Sequence, residues 1–170
     1  MAVLDLLLFL IPIYIANSSP VVLGGGKSLD LGLVLSDGKR LFGDSKTIRG
    51  FVGGILAGTV AGGLIAIFYQ VEFFDSQHAQ FIAGFVLASG TLIGDAFGSF
   101  IKRRVGLEPG KPFFLDTMLF LIIALLLAIP FVKMELYSPL NLGLFLVLTT
   151  ILHPLTNIFA NRIGLKKVPW

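Results

Sequence analysis

The chain has 170 residues, of which 55% are hydrophobic and 14% charged, and its mean hydropathy is +0.91. A soluble domain is nearer a quarter charged, so this composition excludes an ordinary soluble fold and marks a membrane protein. The net charge of +3 is too small to argue for a nucleic-acid partner, and the absence of cysteine excludes disulfides, thiolate metal sites and a cysteine nucleophile.

Five apolar runs are long enough to cross a bilayer, which takes about 20 helical residues. They cover approximately residues 3–23, 51–71, 81–101, 113–132 and 140–163. Their length and all-round apolar character favour helices over strands, because in lipid each backbone polar group must be satisfied internally. The expectation is an all-α polytopic membrane protein, a single integral-membrane domain over residues 1–170 with about five spans. The first run carries Asp5 and has no basic lead-in, so it reads as a retained span and not as a cleaved signal peptide.

The connecting loops alternate in charge. Residues 24–49 carry Lys27, Lys39, Arg40, Lys46 and Arg49, whereas 72–80 carry Glu72 and Asp75 and no Lys or Arg. Residues 102–112 are strongly basic, 133–139 are short and balanced, and the C-terminal end carries Arg162, Lys166 and Lys167. The positive-inside rule places loops 24–49 and 102–112 in the cytoplasm, with the N-terminus outside and the C-terminus inside.

In chain order, the first span ends at Asn17-Ser18-Ser19-Pro20. Asn17 reads either as a helix-end hydrogen bond or as a ligand contact, since it shares a depth with the basic loops. Gly24-Gly25-Gly26-Lys27-Ser28 is not a phosphate-binding P-loop, because the first glycine that motif needs falls at Val21. The stretch from Asp37 to Gly50 interleaves glycines and cations with Ser45 and Thr47 and runs straight into the second span. A helix N-terminus with Lys46, Thr47 and Arg49 on its threshold favours an anion. The plainer reading is contact with lipid headgroups.

The second span has glycine at 50, 54, 58 and 62, and the third at 90, 94 and 98. Small residues on one ridge allow close helix approach, so these two spans are expected to cross there, bringing Lys46 and Arg49 near Asp95. On the third span Thr91, Asp95, Ser99 and Lys102 share a face, with Arg103 at its edge. An aspartate inside a membrane helix points to function, unless it serves only an internal ion pair with Lys102 or Arg103. Asp95 and Asp116 are expected at similar depths on antiparallel spans. Hard oxygen ligands beside cations suit Mg²⁺, or Mn²⁺, held together with a phosphate. The fifth span carries a polar stripe of Thr149, His153, Asn157 and Asn161. His153 reads as interhelical glue, while Asn157 and Asn161 are near enough to the basic loops to reach a ligand.

Gly94-Asp95, Ser99, Lys102-Arg103, Pro109-Gly110 and Asp116 resemble the C-terminal signature of CDP-diacylglycerol synthases. The chain departs from it in a shorter Lys-Arg to Pro-Gly segment, in Lys111-Pro112-Phe113 where that family has His-Gly-Gly, and in Thr117 where it has Arg. The short form, the lead-in Gly43-Asp44-Ser45-Lys46-Thr47-Ile48-Arg49-Gly50 and the loop Gly106-Leu107-Glu108-Pro109-Gly110 are closer to the archaeal CDP-archaeol synthase family. This resemblance implies a Mg²⁺-dependent cytidylyltransferase that joins CMP from CTP to an unsaturated ether-lipid phosphate in the membrane. It implies Asp95 and Asp116 as metal-holding catalytic residues, with Lys46, Arg49, Lys102 and Arg103 cradling phosphates. Asn17, Asp37, Thr47, Ser99, Pro109 and Gly110 are further contacts to CTP or the lipid phosphate. The reading from another class is a small ion-coupled transporter, since membrane aspartates, a mid-membrane His and glycine ridges occur there too.

Overall fold

The computed structural model describes residues 3–107 and 113–166. The described residues are helical, with no strand beyond two isolated bridges. The helices are α1 (Val3–Ser18), α2 (Pro20–Leu23), α3 (Ile48–Phe68), α4 (Gln77–Arg104), α5 (Phe114–Ala128) and α6 (Pro139–Arg162). Among the described residues four helical stretches are long and apolar enough to cross a membrane, with α1 and α2 together forming one, Val3–Leu23. The remaining expected span is a shorter apolar helix, Thr117–Phe131. Pro130 lies where α5 tightens into a 3₁₀ turn, Ile129–Phe131.

Hydroxyl caps set where three of these helices begin. The side chains of Thr47, Ser76 and Ser138 accept from the amides of Gly50, Ala79 and Asn141 at the starts of α3, α4 and α6. Pro20 and Pro139 open α2 and α6, where a missing N–H costs nothing.

The two glycine ridges do different jobs, which corrects the expected crossing. The α3 ridge does face α4: a Cβ on Gly58 would lie 2.7 Å from the Ala88 methyl, and one on Gly62 would lie 2.9 Å from Gly84 Cα. The same ridge also faces α1, since Gly54 and Gly58 approach the carbonyl oxygens of Ala16 and Pro12. On α4, however, Gly90 and Gly94 turn away from α3 and meet α5, at Ala124 and at the Leu119 carbonyl. At about 100° per residue, Ala88 and Gly90 point to opposite sides, so α4 is packed between two neighbours.

The dry core occupies the half of the bundle away from the basic loops. The Phe9 ring stacks on Phe145 at 5.6 Å and on Phe74 at 5.9 Å, and meets Phe73 edge-on at 6.0 Å. At that end Asp5, for which the sequence offered no partner, is fully buried and accepts the Glu72 amide (3.1 Å). Gln80 accepts from Val71 N and donates to the Tyr69 carbonyl. Together they satisfy the Val71 and Glu72 amides and the Tyr69 carbonyl of the α3–α4 connection. Tyr14 donates to the buried Thr149 hydroxyl (3.0 Å), tying α1 to α6.

Gly94→Ala should destabilise the detergent-solubilised protein by about 1–3 kcal/mol, because the new methyl meets α5 backbone. Gly143→Ala, whose new methyl would meet no neighbour, should stay within about 0.5 kcal/mol. Thermal unfolding of the two variants side by side measures the difference.

Candidate active site

The long loop before α3 is ordered by a residue to which the sequence reading gave no role. The Asp30 side chain is buried and accepts from Arg40 Nη2 (2.5 Å) and Nε (3.2 Å) and from the amides of Phe42 (2.9 Å), Gly43 (3.0 Å) and Gly32 (3.1 Å). Burial alone would raise its pKa, but the Arg40 guanidinium and the three N–H groups outweigh that and hold the carboxyl well below the usual carboxylate range. Arg40 also donates to Ser28 Oγ and pairs with Asp44. Backbone bonds from Leu29 N to Lys46 O (2.7 Å) and from Ile48 N to Lys27 O (3.1 Å) close the base of the loop.

The loop is then fastened to the end of α4. Arg104 pairs with Asp37 (2.5 Å), donates to the Arg40 carbonyl (2.5 Å) and sits 5.3 Å above the Phe100 ring. Lys39 Nζ donates to the Arg104 carbonyl (3.0 Å), and Arg103 Nε reaches the Phe42 carbonyl (3.5 Å). Thr47 Oγ1 accepts from both Gly25 N (3.2 Å) and Gly50 N (3.1 Å), joining loop and helix cap. The result is a fixed position for Lys46, whose Nζ lies 2.5 Å from Asp95 Oδ2.

This contact sits in the wall of a cavity of about 290 Å³. Asn17 and Val21 line it from the α1–α2 side, Ser45, Lys46 and Thr47 from the loop, and Gly50 and Phe51 from α3. Asp95, Ser99, Lys102 and Arg103 come from α4, His153 and Asn157 from α6, and Lys166 from just beyond it. Among the described lining residues four cations face one carboxylate, an excess of three positive charges at the rim of an apolar bundle. With the first turn of α3 also in the wall, such a site attracts a multiply charged anion.

Most residues singled out from the sequence therefore meet here: Asn17, Lys46, Thr47, Asp95, Ser99, Lys102 and Arg103. The expected approach of the α3 threshold to Asp95 is present, and the partner is Lys46, not a cation on the aspartate's own helix. Thr91 shares the helix face but is fully buried and returns its hydroxyl to the Leu87 carbonyl (2.8 Å). Asp37 and Arg49 are not brought into the cavity. Asp37 belongs to the loop tip, where it accepts from Lys39 N and holds Arg104, and Arg49 points outward one residue past the Thr47 cap's first helical position. Asp116 lies in the first turn of α5, and its side chain, like Pro109 and Gly110, lies outside the described residues.

His153 does more than join helices. It lies 3.1 Å from Thr117 Oγ1 on α5, packs against Phe120 (5.3 Å) and faces the cavity. Lys166 Nζ donates to Asn157 Oδ1 (2.8 Å), so Asn157 turns Nδ2 toward His153 Nε2 (3.3 Å). That bond network assigns Nε2 as the accepting nitrogen and leaves Nδ1–H for Thr117. Lys166, which the sequence offered only as part of a basic end, joins the site because the chain turns back after α6, with Leu165 N and Lys166 N donating to the Ala160 carbonyl.

The donor set is compatible with a hard divalent ion. The second Asp95 oxygen accepts no hydrogen bond among the described residues, and hydroxyl and amide oxygens of Ser99 and Asn17 share the cavity. No cluster of three His, Cys, Asp or Glu occurs among the described residues. A carboxylate oxygen beside neutral oxygens is a donor set of the kind that Mg²⁺ takes, with water and substrate phosphate completing its shell.

Fold and site thus define an integral membrane protein with a cationic cavity at one end of its helices. A model of the CarS-like CDP-archaeol synthase family matches residues 1–170, and the chain belongs to that family. It is 45% identical over 169 residues to the CDP-archaeol synthase of Pyrococcus furiosus, covering 99% of this chain and 98% of that one. It is 36% identical to the CDP-archaeol synthase of Methanococcus aeolicus, over 99% and 97% of the two chains. A solved structure, described as an intramembrane enzyme for archaeal membrane lipid biosynthesis, superimposes with a TM-score of 0.78 at 36% identity, covering 92% of this chain and 95% of that one.

Because the Asp30 pKa is depressed, its contribution to loop order is complete above the ordinary carboxylate range of about 4 and is lost only as pH falls through the depressed value. Limited trypsin digestion at Lys39 and Arg40 should therefore stay slow from about pH 8 down to about pH 5, as far as the protease remains active. Asp30→Asn, which sets an amide among donors, should expose both bonds to rapid cleavage at every pH and lower the melting temperature by several degrees.

Proposed function

We propose that this chain is a CTP-dependent cytidylyltransferase. It transfers CMP to the phosphate of an unsaturated di-ether archaeal lipid and releases CDP-archaeol and pyrophosphate. The observation that carries this reading is the convergence of Lys46, Lys102, Arg103 and Lys166 with Asp95 in one cavity of a chain belonging to the CDP-archaeol synthase family.

An oxygen of the lipid phosphate attacks the α-phosphorus of CTP, and the bond from that phosphorus to the bridging oxygen breaks, leaving pyrophosphate. The nucleophile is already an anion, so no strong general base is needed. The barrier lies in bringing two polyanions together and in stabilising charge on the leaving group, which is work for fixed cations. Lys102 and Arg103 project from the end of α4, and Lys46 and the first turn of α3 meet them from the loop side. Ser99 and Asn17 supply neutral hydrogen bonds, and the backbone at Pro109-Gly110 is assigned the same role. Mg²⁺, or Mn²⁺, held by Asp95 with Asp116, would neutralise the triphosphate and the departing pyrophosphate. Lys46 must leave Asp95 for the nucleotide in that state. The positive charge of loops 24–49 and 102–112 supports a site on the cytoplasmic side of the cell membrane, where CTP is made.

A carrier would need polar groups along a path across the bilayer. Here the charged lining gathers at one end, and the opposite half is closed by the aromatic core around Phe9, so the transporter reading has no support.

Purified protein given labelled CTP and a diether lipid phosphate should yield lipid-extractable label, whereas ATP, GTP and UTP should not. EDTA should stop incorporation, and added Mg²⁺ or Mn²⁺ should restore it. Asp95→Asn should lower kcat by about 100-fold or more with the fold intact. Wild-type turnover in that variant would remove the carboxylate from the mechanism.

A further inference from the structure

The α4 helix turns a different face to each neighbour. Gly90 and Gly94 meet α5, while Ala88 and Leu92 pack toward α3. Ile93, Phe97, Phe100 and Arg104 recur at i, i+4, i+7 and i+11 on the remaining face, opposite Asp95 and Lys102. Ile93 and Phe97 are exposed, Phe97 stacks on Phe100 (6.1 Å), and Arg104 covers the Phe100 ring, so this stripe faces lipid and ends on a cation. The 28 residues of α4 rise about 42 Å, close to the roughly 40–45 Å of a bilayer with its headgroups, which sets Arg104 at headgroup depth. The loop before α3 is pinned to that residue. Residues 33–41 form a tight hairpin, with Leu41 N donating to the Leu33 carbonyl (3.0 Å) and Leu35 N to the Lys39 carbonyl (3.0 Å). Asp37, Lys39 and the Arg40 carbonyl hold this hairpin to Arg104. At its outer edge Leu31 is 72% exposed, and Leu33 and Val34 are 52% exposed. Leu31 also holds a φ of 49°, in the left-handed region that a leucine seldom adopts. Its amide donates to the Ser28 carbonyl, and the Asp30 carboxylate beside it gathers Arg40 and three amides, so the exposed position is fixed and not frayed.

We infer that Leu31, Leu33 and Val34 anchor the loop in the headgroup–acyl boundary of the leaflet next to the basic loops. The anchor does not depend on which reaction the cavity carries out. Three large aliphatic side chains held side by side in water are costly, and a rigid loop cannot fold them away. The bilayer is the apolar surface within reach at that depth, over the face of α4 that already meets lipid. The surrounding charge suits headgroups: residues 24–49 carry five cations against three aspartates, and Lys27 and Arg49 are exposed. An apolar tip flanked by Lys and Arg is the composition of an element that lies in a membrane interface. A second copy of the chain or a soluble protein would have to displace headgroups to reach the same three residues. The consequence extends to the cavity, because this loop delivers Lys46 to Asp95. Arg104 holds it from the helix side and the bilayer from the other.

The chain contains no cysteine, so a single introduced cysteine carries a spin label at one known place. Leu33→Cys and Val34→Cys are labelled in the full-length protein, in nanodiscs of equal phosphatidylglycerol and phosphatidylcholine. Collisions of each nitroxide with oxygen and with a water-soluble nickel chelate are then compared. The ratio of oxygen to chelate access should exceed that of the free label in buffer by about threefold or more, moving toward the value of Val60→Cys on the lipid-facing ridge of α3. A label at either position that the chelate reaches as freely as it reaches the free label would mean that the tip stands in water. A label shielded from both oxygen and the chelate would mean that protein covers it. Either result would overturn the anchor. In the same nanodiscs, trypsin should cut the double variant Leu33→Asp with Val34→Asp at Lys39 and Arg40 about tenfold faster than the wild type, because the loop loses one of its two attachments. Ser36→Asp, which adds a charge to the hairpin without removing an aliphatic side chain, should be cut at the wild-type rate. A wild-type rate in the folded double variant would also overturn the anchor; if that variant does not fold, the spin labels decide alone.

Discussion

The contact between Lys46 and Asp95 is the constraint around which the rest of the structure is arranged. A carboxylate in the third span of a small bundle is costly unless a cation or a donor meets it. No neighbour on its own helix fills that role. The cation arrives from a loop of more than twenty residues, which must be held still to deliver it. Asp30 gathers the loop's backbone, Arg104 and Lys39 fasten it to the end of α4, and Thr47 turns it into α3. Neither side chain of the pair is sealed off: Lys46 is 23% exposed and Asp95 21%. They line the cavity without sealing it, and the proposed function requires the pair to give way to phosphate.

Bundle packing explains why the charge collects at one end. The aromatic core around Phe9 and the buried Asp5 and Gln80 bonds seal the far half, and glycines let α3 and α5 approach α4 closely. Near the basic loops the helices diverge. α6 leaves the bundle after Thr149, and the gap is lined by His153 and Asn157, with Lys166 folding back over it. A dry, tightly packed half next to an open, cationic half gives fixed charges a low-dielectric background on which they act strongly.

Much of this was legible in the sequence, for identifiable reasons. Spans are set by runs of apolar residues, and hydropathy reads those directly. Asp95, Ser99 and Lys102 follow helical spacing, so their shared face needed only the period. The glycine ridges announced close approach, but a ridge does not say which neighbour it meets, and on α4 that neighbour is α5. Asp37 and Asp30 show where local pattern fails. Both are loop aspartates followed within two residues by a glycine, and nothing near them says that one becomes the loop's buried centre while the other holds Arg104 at its tip. Lys166 was hidden for a similar reason, since its place depends on a turn after α6 and not on periodicity. His153 looked like glue, which it is through Thr117, but its second nitrogen faces the cavity by way of Asn157.

The central claim is that Lys46 and Asp95 act on the nucleotide and not only on each other. A charge swap tests it most directly. The double variant Lys46→Asp with Asp95→Lys keeps an ion pair across the same gap but exchanges the two ends. Its melting temperature and its CTP turnover are measured beside the wild type and both single variants. The account predicts that the swap recovers most of the thermal stability lost in the single variants, yet incorporates no CMP into lipid. Turnover that returns together with stability would show the pair to be a structural tie alone, and would contradict the account.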